Sequence, residues 1–442
     1  MAAPRTPAEA PAADGTFDLL VALEHARLVQ GLLAGWDARD VVATPSADLG
    51  LARLVGRLPG RGAPGGSPRG TSAGAPAADP TVAVLARLRA HCADRYAGWV
   101  PTLGRNRLVG HVTGGGGTVS HGGGPAPVPA RPPARGLAAR GVAPGAGAGL
   151  TVGVLDTALV PHPALTGAVL GRVPEDVVAP GTAHRTARPH AAGHATFVAG
   201  LVLRQAPGAT VRVRRVLDDE GRALSWDVAN AVVALGRSGV QVLNLSLVCT
   251  TEDGRPPLGL AAAVDRLDPD VLVVACAGNH GAAGDGDGDG PVGGPGGPGG
   301  PPPASDARRR PAWPAALDDV VAVGAARRPA ARRGPGGGRG APVPSPFTPP
   351  DAPWIDVLAD GEDLVSTYLS GPDPAGGAPF RGWARWSGTS FSAALVAGRV
   401  AARAAELGVP PRAALADLLA GAAVDGTGPE QGVPAPPFLA LG

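Results

Sequence analysis

From residue 149 onward, short apolar runs alternate with stretches of helical periodicity. The runs "LTVGVLD" (150–156), "VRVRRVLD" (211–218), "VQVLNLSL" (240–247), "DVLVVACAGN" (270–279) and "VVAVGA" (320–325) are rich in apolar and β-branched residues. Between and after them, 194–204, 225–236, 258–267, 390–407 and 410–424 carry apolar residues at helical spacing. Strands apolar on both faces, alternating with helices, predict an α/β fold with a doubly wound, mostly parallel sheet and helices on both faces. Two Gly/Pro-rich inserts, 281–305 and 328–350, are expected as surface loops.

Ahead of residue 149 the texture changes. The spacing predicts helices over 17–36 and 81–97, joined by a Gly/Pro-rich stretch at 56–80. A second such stretch follows, including "NRLVGHVTGGGGTVSHGGG" and "PAPVPARPPARG". Its tetraglycine lacks the following Gly-Lys-Ser/Thr of a phosphate loop, so it reads as a linker. The predicted organisation is a helical, linker-rich N-terminal region (1–100), a linker (101–148), the main domain (149–425) and a C-terminal tail (426–442).

Composition narrows the function. The 442 residues include 69 glycines and 50 prolines, all 39 basic residues are arginine, and the net charge is +2. The arginines follow the Ala/Gly/Pro bias of the whole chain, and so small a net charge argues against a nucleic-acid-binding face. No apolar run reaches the ~20 residues that span a bilayer, and the N-terminus lacks a signal-peptide pattern. The expectation is a cytoplasmic chain with no membrane partner, or a secreted one if translation starts upstream. Nothing in the sequence sets an oligomeric state. Cys92, Cys249 and Cys276 are too few for a disulfide framework and read as buried thiols, with a Cys249–Cys276 bond as the alternative.

Four polar residues stand where strands end or helices begin: Asp156, His194, Asn279 and Ser390. Each alone has an ordinary structural role in a turn, a cap or a core edge. Ser390, in "WSGTSFSAALVAG", taken alone reads first as the N-cap of its helix. Together they make a complete set: a hydroxyl nucleophile, an imidazole base, a carboxylate to orient it, and an amide to meet an oxyanion. The order Asp–His–Ser, without a G-x-S-x-G elbow, separates the set from the α/β-hydrolases.

Six stretches in order resemble the subtilisin-like serine proteases (subtilases, peptidase family S8): "VGVLDTA", "HATFVAG", "RRVLDDEGRALSW", "VLNLSLV", "VVACAGN" and "GTSFSAALVAG". The resemblance covers roughly residues 149–425. It implies a serine endopeptidase working through an acyl-enzyme without an obligatory cofactor, and a peptide or protein substrate. Ser390 is then the nucleophile, His194 the base and acid, Asp156 the orienter and Asn279 the oxyanion donor. Substrate would lie extended between 221–224 and 246–248, against Leu224, Ser246, Leu247, Val248 and Gly278. Many subtilases bind calcium, but neither "DGDGDG" (285–290) nor any other stretch has the spacing of a definable metal site.

The chain departs from the family pattern at Ala158, Ala195 and Val248, each in place of Gly, and at Ala394 in place of Pro. Val248 beside the P1 pocket implies a preference for small P1 residues. Residues 1–100 do not resemble the mixed α/β segment that usually precedes a subtilase domain. Two alternatives stay open: an inactive peptide-binding pseudoprotease, and an acyl-transferring peptide ligase or macrocyclase.

Overall fold

The computed structural model describes residues 15–59, 79–110, 125–134, 136–171, 173–179, 186–282, 308–328, 341–422 and 436–441. The tetraglycine, "DGDGDG" and most of both predicted inserts lie outside them. The chain divides into two compact units: residues 1–108 with 224–233 and 257–266, and the remainder.

In the first unit, "FDLLVAL" is a strand and not the start of a helix. The order is β1 (Thr16–Ala22), α1 (Ala26–Ala34), β2 (Arg39–Ser46), β3 (Leu51–Arg57), α2 (Pro80–Arg95) and β4 (Leu103–Arg105). The sheet order is β2-β3-β1-β4, so this region is mixed α/β, correcting the helical reading. Phe17, Leu19 and Val21 alternate onto Val29 and Leu33 of α1 and Val84, Leu85 and Leu88 of α2. Each such buried side chain contributes about 1.5–3 kcal/mol. Leu20 points the other way and is also buried, with Gly259 against it. Burial on both faces erases the period-2 signal that marks a half-buried strand. The prediction for 81–97 holds within two residues, because Asp79 accepts from Thr81 N–H at 2.8 Å and Pro80 occupies the first helical position.

The second unit is built on a nine-stranded sheet. Before it come two short strands, β5 (Leu108–Gly110) and β6 (Val128–Pro129). The elements then run β7 (Thr151–Asp156), β8 (Val169–Gly171), α3 (His194–Gln205), β9 (Thr210–Arg215), β10 (Arg222–Leu224), α4 (Ser225–Gly236), β11 (Val242–Leu245) and β12 (Cys249–Thr250). There follow α5 (Leu258–Asp265), β13 (Leu272–Cys276), β14 (Ala312–Trp313), β15 (Val320–Arg327), β16 (Val343–Pro344), β17 (Val357–Asp360), β18 (Leu364–Gly371) and β19 (Phe380–Trp386). The chain closes with α6 (Thr389–Leu407), α7 (Pro411–Ala420) and β20 (Phe438–Leu439).

The large sheet has the order β20-β17-β15-β13-β11-β7-β9-β8, and every pair along it is parallel. Only β16, on β15, is antiparallel. Val152, Val154, Val242, Leu272 and Val274 share one core with apolar residues of α3 and α6. On the opposite face Leu235 and Leu243 lie against Gly153. Helices α3 and α6 approach closely because a side chain at Gly398 would strike the Val202 carbonyl. The predicted tail is partly structured: β20 extends the sheet, and the Leu441 carbonyl accepts from Gln205 Nε2 at 2.6 Å. A separate sheet, β18-β19-β6, completes the unit.

Candidate active site

Strands β7, β11 and β13 end side by side, and in a parallel sheet the carboxyl edge is where loops can carry chemistry. Asp156 is the last residue of β7. Its carboxylate accepts from Thr157 N–H at 2.7 Å and faces His194 Nδ1 at 2.7 and 2.9 Å. Both side chains are fully buried. A carboxylate accepts and does not donate, so Nδ1 carries the proton and the lone pair of the neutral ring falls on Nε2. His194 opens α3, whose start is pinned by Thr157 Oγ1 accepting from Ala195 N–H at 3.2 Å. The ring sits among aromatics: Trp386 stands edge-on at 5.6 Å and Phe391 is tilted at 5.5 Å.

Ser390 is the second residue of α6. It caps nothing, since Gly388 holds the N-cap position without a side-chain hydrogen bond. Its Oγ is fully buried and, apart from the Cys276 thiol beside it, has no hydrogen-bond partner among the described residues. Ser390 Oγ and His194 Nε2 are not hydrogen-bonded to each other in this structure. Burial pushes the Cys276 thiol up to about 12, outweighing the nearby hydroxyl groups. Cys249 is likewise buried and not in a disulfide, so the Cys249–Cys276 alternative is not realised.

Asn279 follows β13. Thr389 donates to its Oδ1 from both N–H and Oγ1, each at 3.0 Å. That fixes the amide with its Nδ2 donor beside Gly388, where an added Cβ would come within 3.2 Å. The preceding Gly278 adopts φ +86°, which L side chains rarely accept, and it also leaves room for His280.

Ser246, Leu247 and Val248 continue from β11 and are buried. Asn244 Nδ2 donates to Ser246 Oγ at 2.8 Å, and Ser246 Oγ donates to the Ser390 carbonyl at 3.0 Å. Leu224 ends β10. The place between 221–224 and 246–248 is held by the chain's own β5, which pairs with β10. Gly110 N–H donates to Val248 O at 2.9 Å, and Val248 N–H to Gly110 O at 2.7 Å. Val248 thus keeps its strand pairing, and its side chain joins the main core with Cys276 and Ala312. Ala158 and Ala195 do not have positive φ, so each departure from Gly adds only a methyl group.

The subtilase family model (Peptidase S8) matches residues 147–431. The chain belongs to the subtilase family. It is 28% identical over 214 residues to the thermophilic serine proteinase of Bacillus sp. (strain AK1), covering 48% of this chain and 39% of that one. It is 32% identical over 146 residues to subtilisin BL of Lederbergia lenta, covering 31% and 50%. This subtilase thus spans half or less of each of these relatives. Among solved structures, fervidolysin from Fervidobacterium pennivorans, described as a keratinolytic enzyme related to subtilisin, aligns with a TM-score of 0.58 at 16% identity. That alignment covers 97% of this chain and 61% of fervidolysin, and it shows the shared fold.

The sequence reading did not find Trp386, Phe391 and Thr389 around the triad, or the two strands β5 and β6. Their only signals were an aromatic pair flanking "SGTS" and the apolar pair Leu108-Val109 ahead of a glycine-rich stretch. Among the described residues, no helix is long and apolar enough to cross a membrane.

Proposed function

We propose that this subtilase is a serine endopeptidase. The observation that carries the reading is the doubly bonded, fully buried Asp156–His194 pair beside the first turn of α6, which holds Ser390. Ser390 Oγ attacks the scissile carbonyl while His194 Nε2 takes its proton. The imidazolium formed is stabilised by Asp156, then returns the proton to the departing amine. Asn279 Nδ2 and the Ser390 backbone N–H meet the oxyanion, and water repeats the sequence on the acyl-enzyme. No metal or cofactor enters any step.

The substrate is a peptide in extended form, and β5 marks its path. Leu108–Gly110 pairs on one side with β10 and on the other with Val248, as a bound peptide would. Gly110 pairs antiparallel with Val248, and Ser246 bonds the Ser390 carbonyl, so the first bond cut is expected a few residues beyond Gly110 in sequence. β5 then acts as a built-in occupant of the cleft. Val248, with its neighbourhood filled by core side chains, supports a preference for small P1 residues. A fluorophosphonate probe tests the reading: wild-type protein labels on Ser390 and Ser390→Ala does not. Absence of labelling in folded wild-type protein, before and after limited proteolysis near residue 111, would leave a pseudoprotease. Product masses distinguish hydrolysis from transfer of the acyl group to an amine.

A further inference from the structure

The segment downstream of the cleft also occupies a strand edge. When the described chain resumes at Pro125, its carbonyl accepts from Trp386 Nε1 at 2.9 Å. Val128 and Pro129 then pair antiparallel with Arg385 and Ala384, and Ala130 N–H donates to the Trp383 carbonyl at 3.1 Å. The Trp386 ring stands edge-on to His194, the group that hands a proton to the leaving amine. This edge of β19 therefore ends beside the catalytic histidine, at Trp386, four residues before Ser390.

The occupant is a poor match for its seat. Prolines at 125, 127, 129, 132 and 133 remove backbone donors, so few main-chain bonds hold it. Arg381 and Arg385 are exposed on one face of β19 with Trp383 between them. They border an open depression of about 670 Å³ together with Arg131 of the segment, Pro129, Val365 and Asp363. Among the described residues, none of these three arginines has a carboxylate partner. The segment brings one more positive charge to two others, with Asp363 as the one acidic residue among the described residues that line the depression. A peptide carrying Glu or Asp where Arg131 lies would exchange repulsion for attraction.

We propose that the β19 edge and its arginine-lined face are the docking strand for the leaving-group side of an acidic peptide substrate, with residues 125–131 as a weakly held resident. The inference rests on the protease reading, because it assigns the edge to substrate. It names a substrate class, peptides acidic several residues beyond the scissile bond. It also makes release of the resident a condition for binding long substrates.

The test uses full-length Ser390→Ala, so that nothing is cleaved, and a second version in which 125–131 is replaced by Gly/Ser of equal length. The probes are fluorescein-labelled PAPVPAR and PAPVPAE, followed by anisotropy. Both bind the replaced version and neither binds the parent, whose edge is taken. PAPVPAE binds at least about fivefold more tightly at low salt, and the gap closes near 0.5 M salt. Arg381→Gln with Arg385→Gln, both exposed, brings the two affinities together, while Trp386→Phe weakens both probes. Equal affinities, failure of both probes to bind, or indifference to the arginines would overturn the proposal. Fluorophosphonate labelling of the Ser390 protein is read separately, so a protein that labels but shows no acidic preference fails only this inference. One that prefers PAPVPAE but does not label retains the docking strand and fails the protease reading.

Discussion

Asp156, His194, Asn279 and Thr389 are held by buried side-chain hydrogen bonds, whereas the segments at 108–110 and 125–130 are held mainly by main-chain pairs. The first kind of bond depends on residue identity and tolerates no substitute. The second can be made by any extended peptide of suitable side chains. The comparison separates a fixed catalytic apparatus from replaceable occupants of its approaches, and it predicts a graded set of effects.

The largest belongs to the fixed part. His194→Ala lowers kcat by about 10⁶-fold, the loss known from a subtilisin, measured on a peptide anilide. Because this change leaves Asp156 buried without its partner, Ser390→Ala gives the same loss in a protein whose melting temperature is closer to wild type. Next comes Asn279→Leu, with a loss of about 10²–10³ in kcat and little change in KM, again on the scale of a subtilisin's oxyanion amide. A change confined to KM would show that Asn279 serves binding alone.

The replaceable part gives smaller effects of opposite sign. Gly110→Pro deletes the N–H donated to Val248 O, a bond worth about 1 kcal/mol net, so fluorophosphonate labels the full chain about fivefold faster. Unchanged or slower labelling would remove β5 from control of access. The smallest effect is expected at Cys276. With its thiol pushed up to about 12 and fully buried, alkylation by iodoacetamide in the native protein stays negligible from pH 6 to 9. Brisk alkylation with loss of activity in that range would mean the wall of the site opens readily.

The catalytic half was legible because its strands are apolar on both faces and its polar residues fall at their ends. "TVGVLD" and "VLVVAC" could only be buried strands once their lengths and flanking turns were considered, and Asp156 and Asn279 followed from position. The N-terminal sheet was not legible. "FDLLVAL" is buried on both faces and mimics a helix, while "RDVVATPS" is a largely solvent-facing strand with an Asp and a Pro. β5 and β6, at three and two residues, are too short for any periodicity and sit inside glycine- and proline-rich sequence. Their pairing comes from the strands beside them, Val248 and β10 for one and β19 for the other. A one-chain sequence pattern does not report such long-range partners.

The central claim is that Ser390 acts on an extended chain and that this chain's own segment occupies the approach. Intact-mass analysis of purified full-length protein over time tests it most directly, with Ser390→Ala in parallel. The account predicts that wild-type protein splits into two fragments at one bond a few residues beyond Gly110, while Ser390→Ala stays whole. Cleavage of both proteins at the same bond, or wild-type cleavage confined to sites far from Gly110, would contradict it.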